Sequence, residues 1–173
     1  MDCGSLTRPR ICATARPGQP PSPMAVSVRP SHASTVFGLC EDSKCMSDPL
    51  IKAALAAREH AHAPFSGFKV GAALATESGR IFTGCNIENA TYGLTICAER
   101  VAVFKAISEG ARDLRRVAVA TDREIPSPPC GACRQILWEF CGDAELILVN
   151  LQGNSESLRL SDIFPRPFDA SLL

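Results

Sequence analysis

Cys130 and Cys133 flank Gly131-Ala132 where a run of helical spacing begins, and Cys97 opens an earlier run of the same kind. Residues three apart in the first turn of a helix share a face. The free N–H groups and partial positive charge at a helix start lower a thiol's pKa and favour the thiolate that binds metal. A metal held by all three sulfurs requires two helix starts to meet at one point, and few folds allow that. Two cysteines cannot complete a tetrahedral zinc site, and Cys97 supplies a third ligand. There is no second Cys-x-x-Cys and no His-x₃-His pair, and His32, His60 and His62 lie far from these segments in sequence. Structural zinc sites are closed by four protein ligands, whereas catalytic ones keep a position for water. Three thiolates therefore point to chemistry rather than to a staple.

Glu99 selects the chemistry. It lies two residues beyond Cys97, at the edge of the same helix, where a carboxylate reaches an activated water without being a ligand. That is the arrangement of zinc deaminases, in which water attacks the amino-bearing carbon of a nucleobase and a Glu moves the protons. Zinc lowers the pKa of its water to roughly 7, so hydroxide is available for attack at C4 near neutral pH. Three thiolates on one Zn²⁺ leave a net charge of about −1, which blunts the Lewis acid. The two helix starts offset that excess, and Arg100 is placed to hydrogen-bond a ligand sulfur.

The chain divides in two. Residues 1–46 hold Pro9, Pro17, Pro20, Pro21, Pro23 and Pro30 among Ser, Thr and Gly. Such a stretch buries too little apolar surface to offset ordering entropy, and it reads as a disordered N-terminal extension. Residues 47–173 form the folded domain. Ser47-Asp48-Pro49 starts a helix, and Pro64 ends that helical region. Val70–Thr76 and Arg80–Cys85 read as a hairpin about Glu77-Ser78-Gly79. Helices are expected over Cys97–Glu109 and Cys130–Cys141, stopped by Gly110 and Gly142. Strands are expected at Arg116–Ala120, Leu146–Asn150 and Ser157–Leu160, and a helical turn at Leu160–Phe164. The order α-β-β-α-β-α-β-β predicts an α/β protein with helices on both faces of one mixed five-stranded sheet, three layers in all.

Charge and cysteine usage narrow the class. Formal net charge is zero, and residues 47–173 carry 13 basic and 15 acidic side chains, against a polyanion-binding surface. No apolar run is long enough to span a bilayer. Met1–Pro30 lacks the apolar centre of a secretory signal, and nine cysteines is an odd count, so a reducing, cytoplasmic setting is expected. Within the first 40 residues, Arg8, Arg10, Arg16 and Arg29 against Asp2 alone also resemble an organelle transit peptide, beside the reading of an unstructured tail with no targeting role. Cys85 and Cys141 read as packing residues, and Cys3, Cys12, Cys40 and Cys45 fall in the extension.

The two zinc segments, in order and separation, resemble the cytidine deaminase superfamily. Ala63-Pro64-Phe65-Ser66-Gly67-Phe68-Lys69-Val70-Gly71-Ala72-Ala73 resembles the opening strand of its small homotetrameric members, and Gly84-Cys85-Asn86-Ile87-Glu88-Asn89-Ala90 their nucleoside-binding segment. The similarity spans about residues 48–169. It implies that Phe68 stacks on the base, that Asn86 and Glu88 hold the ribose hydroxyls, and that the Ala98 N–H holds the base carbonyl. It also implies a pocket shared between subunits, with Ala90, Tyr92 and Phe168 serving a neighbour's site. Pro128 departs from the family, which usually has Ser before Pro-Cys. One backbone donor is lost there, while the carbonyl remains as an acceptor.

The expected activity is hydrolysis of cytidine and deoxycytidine to uridine and deoxyuridine with release of ammonia, using one Zn²⁺ per subunit. The expected partner is a small nucleoside, not nucleic acid or membrane. Two alternatives stand beside it. A deaminase of another aminopyrimidine nucleoside, of the blasticidin type, lacks the ribose pair seen at Asn86 and Glu88. A zinc-stabilised binding module needs a fourth protein ligand and has no use for Glu99. Polynucleotide editing is disfavoured by Cys97 in place of a His ligand and by the slightly acidic body.

Overall fold

The computed structural model describes residues 46–173. The readings placed on residues 1–45, including the extension, its targeting bias and its four cysteines, lie outside the described residues. Helix α1 (Pro49–Arg58) starts as its sequence dictates. Asp48 caps it, its carboxylate accepting the Leu50 N–H at 2.8 Å, and Pro49 takes the first position, where no N–H is needed. Strands β1 (Gly71–Thr76) and β2 (Ile81–Cys85) form the hairpin. Then come a 3-10 turn (Tyr92–Leu94), α2 (Ala98–Ser108), β3 (Leu114–Thr121), α3 (Gly131–Cys141), β4 (Glu145–Asn150), β5 (Ser155–Arg159) and the short α4 (Leu160–Ile163).

The sheet has five strands in the order β2-β1-β3-β4-β5. Only β3 and β4 run parallel, and α3 supplies the crossover that a parallel pair requires. The other neighbours are antiparallel, so the sheet is mixed, as expected. Its residues alternate with period two. Ala73, Ala118, Ala120, Ile147 and Val149 pack with Leu50, Ile51 and Ala54 of α1. Leu74, Val117, Val119, Leu146 and Leu148 pack with Ala102, Val103 and Ala106 of α2 and Leu137 of α3. Both faces are covered, which makes the three layers.

Strand boundaries shift by up to two residues from expectation, and one helix boundary differs by more. Helix α1 ends at Arg58, well before Pro64. The chain leaves the helix in order to pair. His62 donates its N–H to the Asn86 carbonyl at 3.0 Å and accepts the Glu88 N–H at 2.8 Å. Ile87 pairs on its other side with Ile96. Segment 86–88 is thereby held between residue 62 and the approach to Cys97.

Close approach of α2 to the hairpin depends on Gly84. A Cβ there would lie 2.5 Å from both the Ala102 nitrogen and the Ala98 carbonyl oxygen. Both are backbone atoms of the helix that starts at Cys97, so relief requires the whole helix to lift. Gly84→Ala is therefore expected to lower stability by about 3 kcal/mol, the upper part of the range for overpacking. Urea titration measures it as a lower midpoint at unchanged slope. An unchanged midpoint would mean that α2 does not rest on Gly84.

Candidate metal centre and active-site cleft

Helices α2 and α3 share one face of the sheet, and their starts converge. Cys97 is the N-cap of α2, Cys130 is the N-cap of α3, and Cys133 is the third residue of α3. The three sulfurs all lie within 4.8 Å of one another, with Cys97 and Cys130 separated by 3.9 Å. Zn–S bonds of about 2.3 Å in a tetrahedron put sulfurs about 3.8 Å apart, close to the Cys97–Cys130 separation. Cys133 is buried, Cys97 half-buried and Cys130 exposed, which leaves the cluster open on one side. Cys85 and Cys141 stand apart from it. The Cys85 thiol donates to the His60 carbonyl at 3.4 Å. Cys141 is buried in the core, and burial pushes its thiol up to about 12.

The electrostatics favour thiolate at Cys97. A hydrogen bond with Cys133 holds the Cys97 thiol down at about 5, against the opposing effect of burial, and Arg100 lowers it further. Cys133 is driven upward by that same hydrogen bond, by burial and by the Glu99 charge. The first thiolate therefore forms at Cys97, beside a cation. Arg100 Nη2 donates to Cys97 Sγ at 3.6 Å and to the Thr95 carbonyl at 3.2 Å. Glu99 is only 4% exposed. Burial pushes its carboxyl up to about 7, with its own backbone N–H opposing the shift and the Cys97 charge adding to it. A group poised near neutrality both takes and releases protons at physiological pH.

In front of the thiols lies a cleft of about 260 Å³. Phe68, Asn86, Glu88, Cys97, Ala98, Glu99 and Cys130 all line it, so the tertiary structure gathers most of the residues named from sequence. Ala98 is the first residue of α2, and its N–H has no partner within the helix. Tyr92 lies in an adjoining groove with Phe65, Ser66, Glu88 and Thr95, its ring edge-on to Phe65 at 6.3 Å. Tyr92 is 77% exposed and Phe168 56%, and neither lines the cleft, nor does the exposed Ala90.

Asn86 and Glu88 do more than face the cleft. Asn86 Oδ1 accepts the Val70 N–H and its Nδ2 donates to the Phe68 carbonyl, each at 2.8 Å. One N–H and one lone pair of that amide remain for a ligand. Glu88 accepts the Phe65 and Ser66 N–H groups and the Ser66 hydroxyl. The Ser66 hydroxyl bond, followed by the Phe65 N–H, keeps its carboxyl below the usual range. Both side chains thus also fix the turn that presents Phe68.

Sequence reasoning left out several lining residues, namely Ser66, Thr95, Thr121 and Ser127. Ser66 lies inside a segment already singled out. Thr121 carries no local signal, because it reaches the cleft only as the end of β3 on the α2–α3 face. Pro128 also lines the cleft, beside Cys130. Arg134 fixes that loop by donating to the Pro129 carbonyl at 2.8 Å and to the Ile163 carbonyl at 2.7 Å.

Three thiols at two helix starts, over a mixed sheet and beside a buried carboxylate, define a zinc-dependent hydrolase of the deaminase class. Comparison with known proteins narrows the class. The family described as "Cytidine and deoxycytidylate deaminase zinc-binding region" matches residues 46–149. The chain belongs to this family, whose members are zinc-dependent hydrolases acting on C–N bonds. A cytidine deaminase of Halalkalibacterium halodurans is 52% identical over 122 residues, covering 70% of this chain and 92% of the relative. One from Sporosarcina psychrophila is 48% identical over 122 residues, with 70% and 90% covered. The crystal structure of a Burkholderia pseudomallei cytidine deaminase superposes with a TM-score of 0.67 at 48% identity, covering 69% of this chain and 96% of that one. The three-layer fold with its mixed sheet is that of these deaminases.

Proposed function

We propose that this protein hydrolyses cytidine and deoxycytidine to the corresponding uridines, releasing ammonia. The observation that carries the reading is that Cys97, Cys130 and the buried Glu99 line a cleft that also holds Phe68 and Asn86, with the Cys133 sulfur within 4.8 Å of the other two thiols. The thiols are the ligands for one zinc ion. When bound, zinc supplies Lewis-acid activation of water at neutral pH. Glu99 takes a proton from the attacking water, delivers it to the ring nitrogen, and assists departure of the amino group as ammonia. Its burial supports that work by holding its pKa near neutrality.

Arg100 steadies Cys97 and offsets the surplus negative charge of three sulfurs. Phe68 stacks on the base, and the Ala98 N–H and the Pro128 carbonyl are available to its polar edge. The remaining hydrogen-bonding capacity of Asn86 and Glu88 goes to the ribose. Exposure of Tyr92 and Phe168 supports their service, with Ala90, to a neighbouring subunit in a homotetramer. The domain begins near residue 47, and its setting is cytoplasmic. Among the described residues no helix is long and apolar enough to cross a membrane.

Zinc-loaded protein incubated with cytidine, deoxycytidine, cytosine and CMP tests the substrate. Ammonia release is expected with the two nucleosides. No turnover of either would falsify the assignment. Gel filtration of the active protein checks the assembly, and an active monomer would contradict the shared-pocket roles of Tyr92 and Phe168.

A further inference from the structure

Arg123 lies on the segment between β3 and the zinc-ligand residue Cys130. Its guanidinium carbon stands 5.0 Å from the centre of the Phe68 ring, within cation–π range. Arg123 is exposed and makes no hydrogen bond or ion pair among the described residues, so the ring is its one contact of this strength there. The cleft wall includes Phe68, and Arg123 is not among its lining residues.

The segment carrying Arg123 is anchored at both ends. The buried Arg58 holds the neighbouring Asp122 through an ion pair of 3.1 Å, and Arg134 holds the Pro129 carbonyl. The opposite partner, Phe68, is fixed through its backbone and by packing of its side chain against the core. Asn86 grips the Phe68 carbonyl and the Val70 N–H, while the Ser66 hydroxyl accepts the Phe68 N–H at 3.0 Å. None of these bonds restrains the ring itself. Packing against the core and the Arg123 contact both do, and the Arg123 contact also ties the stacking wall to the loop that carries a metal ligand.

We propose that Arg123 is a positioning residue that helps to hold the Phe68 ring in its stacking orientation. The proposal rests on the reading of Phe68 as the face on which the cytosine base lies. A base that stacks on a pre-oriented ring gives up less freedom on binding, so the contact strengthens substrate binding more than the chemical step.

The test compares Arg123→Ala, Arg123→Gln and Arg123→Lys in the zinc-loaded protein, with cytidine as substrate. Ala and Gln are expected to raise KM about fivefold with kcat within twofold of the parent. Lys keeps the cation and is expected to restore KM to within about twofold. A parental KM in Arg123→Gln overturns the proposal. So does a fall in kcat that tracks loss of zinc or of thermal stability, because that is a purely structural role. Fluorine NMR of protein carrying 4-fluorophenylalanine gives a readout without substrate. The Phe68 resonance is expected to move in Arg123→Gln and return towards its place in Arg123→Lys, and an unmoved resonance overturns the proposal. Parent protein that leaves cytidine unchanged while the Phe68 resonance still responds counts against the substrate assignment and supports the Arg123–Phe68 contact.

Discussion

Glu99→Gln is expected to lose at least ~10³-fold in kcat while keeping its zinc and its fold. The substitution replaces one carboxylate oxygen with an NH₂ group of almost the same size, so a residue only 4% exposed is not overpacked. What disappears is proton transfer. An amide cannot accept the proton of the attacking water, nor pass it to the ring nitrogen or the departing amine, and general acid–base catalysis contributes about 10²–10⁴-fold. The upper part of that range applies because one group serves several transfers. Burial pushes the Glu99 carboxyl up to about 7, so it holds a proton more readily than an exposed glutamate does. Stability should not fall, because the substitution also removes the negative charge that burial disfavours. Ammonia release, zinc content by atomic absorption and circular dichroism together make the measurement. A variant within tenfold of the parent, with zinc in place, would show that some other group carries the proton.

The second large effect is loss of the metal from Cys133→Ser. Cys133 is fully buried and is the thiol closest to the core of the three. A serine hydroxyl there stays protonated and does not replace a thiolate on zinc. The expected outcome is less than about a tenth of a zinc per chain after dialysis against a weak chelator, and turnover reduced at least ~10³-fold. Added zinc should raise the melting temperature of the parent and leave that of the variant unmoved, because a ligand stabilises only the state that binds it. Cys85→Ser is the matched control. Its thiol contacts the His60 carbonyl and lies outside the cluster, so zinc and turnover should both remain. Full zinc occupancy in Cys133→Ser would show that the remaining groups hold the metal alone.

Much of the site was legible in the chain because its signals are local. The helix starts at Cys97 and Cys130 follow from spacing and caps, and each appears within a residue of its expected place. The hairpin and the central strands follow from short apolar runs and the turn at Glu77-Ser78-Gly79. The end of α1 was not legible. Nothing between Arg58 and Pro64 announces a helix stop, and the chain turns out because His62 finds partners at Asn86 and Glu88. Arg123 was missed for a similar reason: its ring partner lies on another segment, and no local spacing connects them.

The sequence by itself determined which chemical groups are available: three thiols, one carboxylate and an arginine three residues from Cys97, with a family resemblance that names a nucleoside. Those are properties of residue types and short spacings, set by bonds within one or two turns of chain. Only the tertiary structure decided that the two helix starts meet with their sulfurs within 4.8 Å, that Glu99 is buried enough to be tuned near neutrality, and that Asn86 and Glu88 also fix the turn presenting Phe68. These depend on packing between segments far apart in the chain. Gly84 is the clearest instance, an unremarkable glycine in a strand until α2 is laid against it.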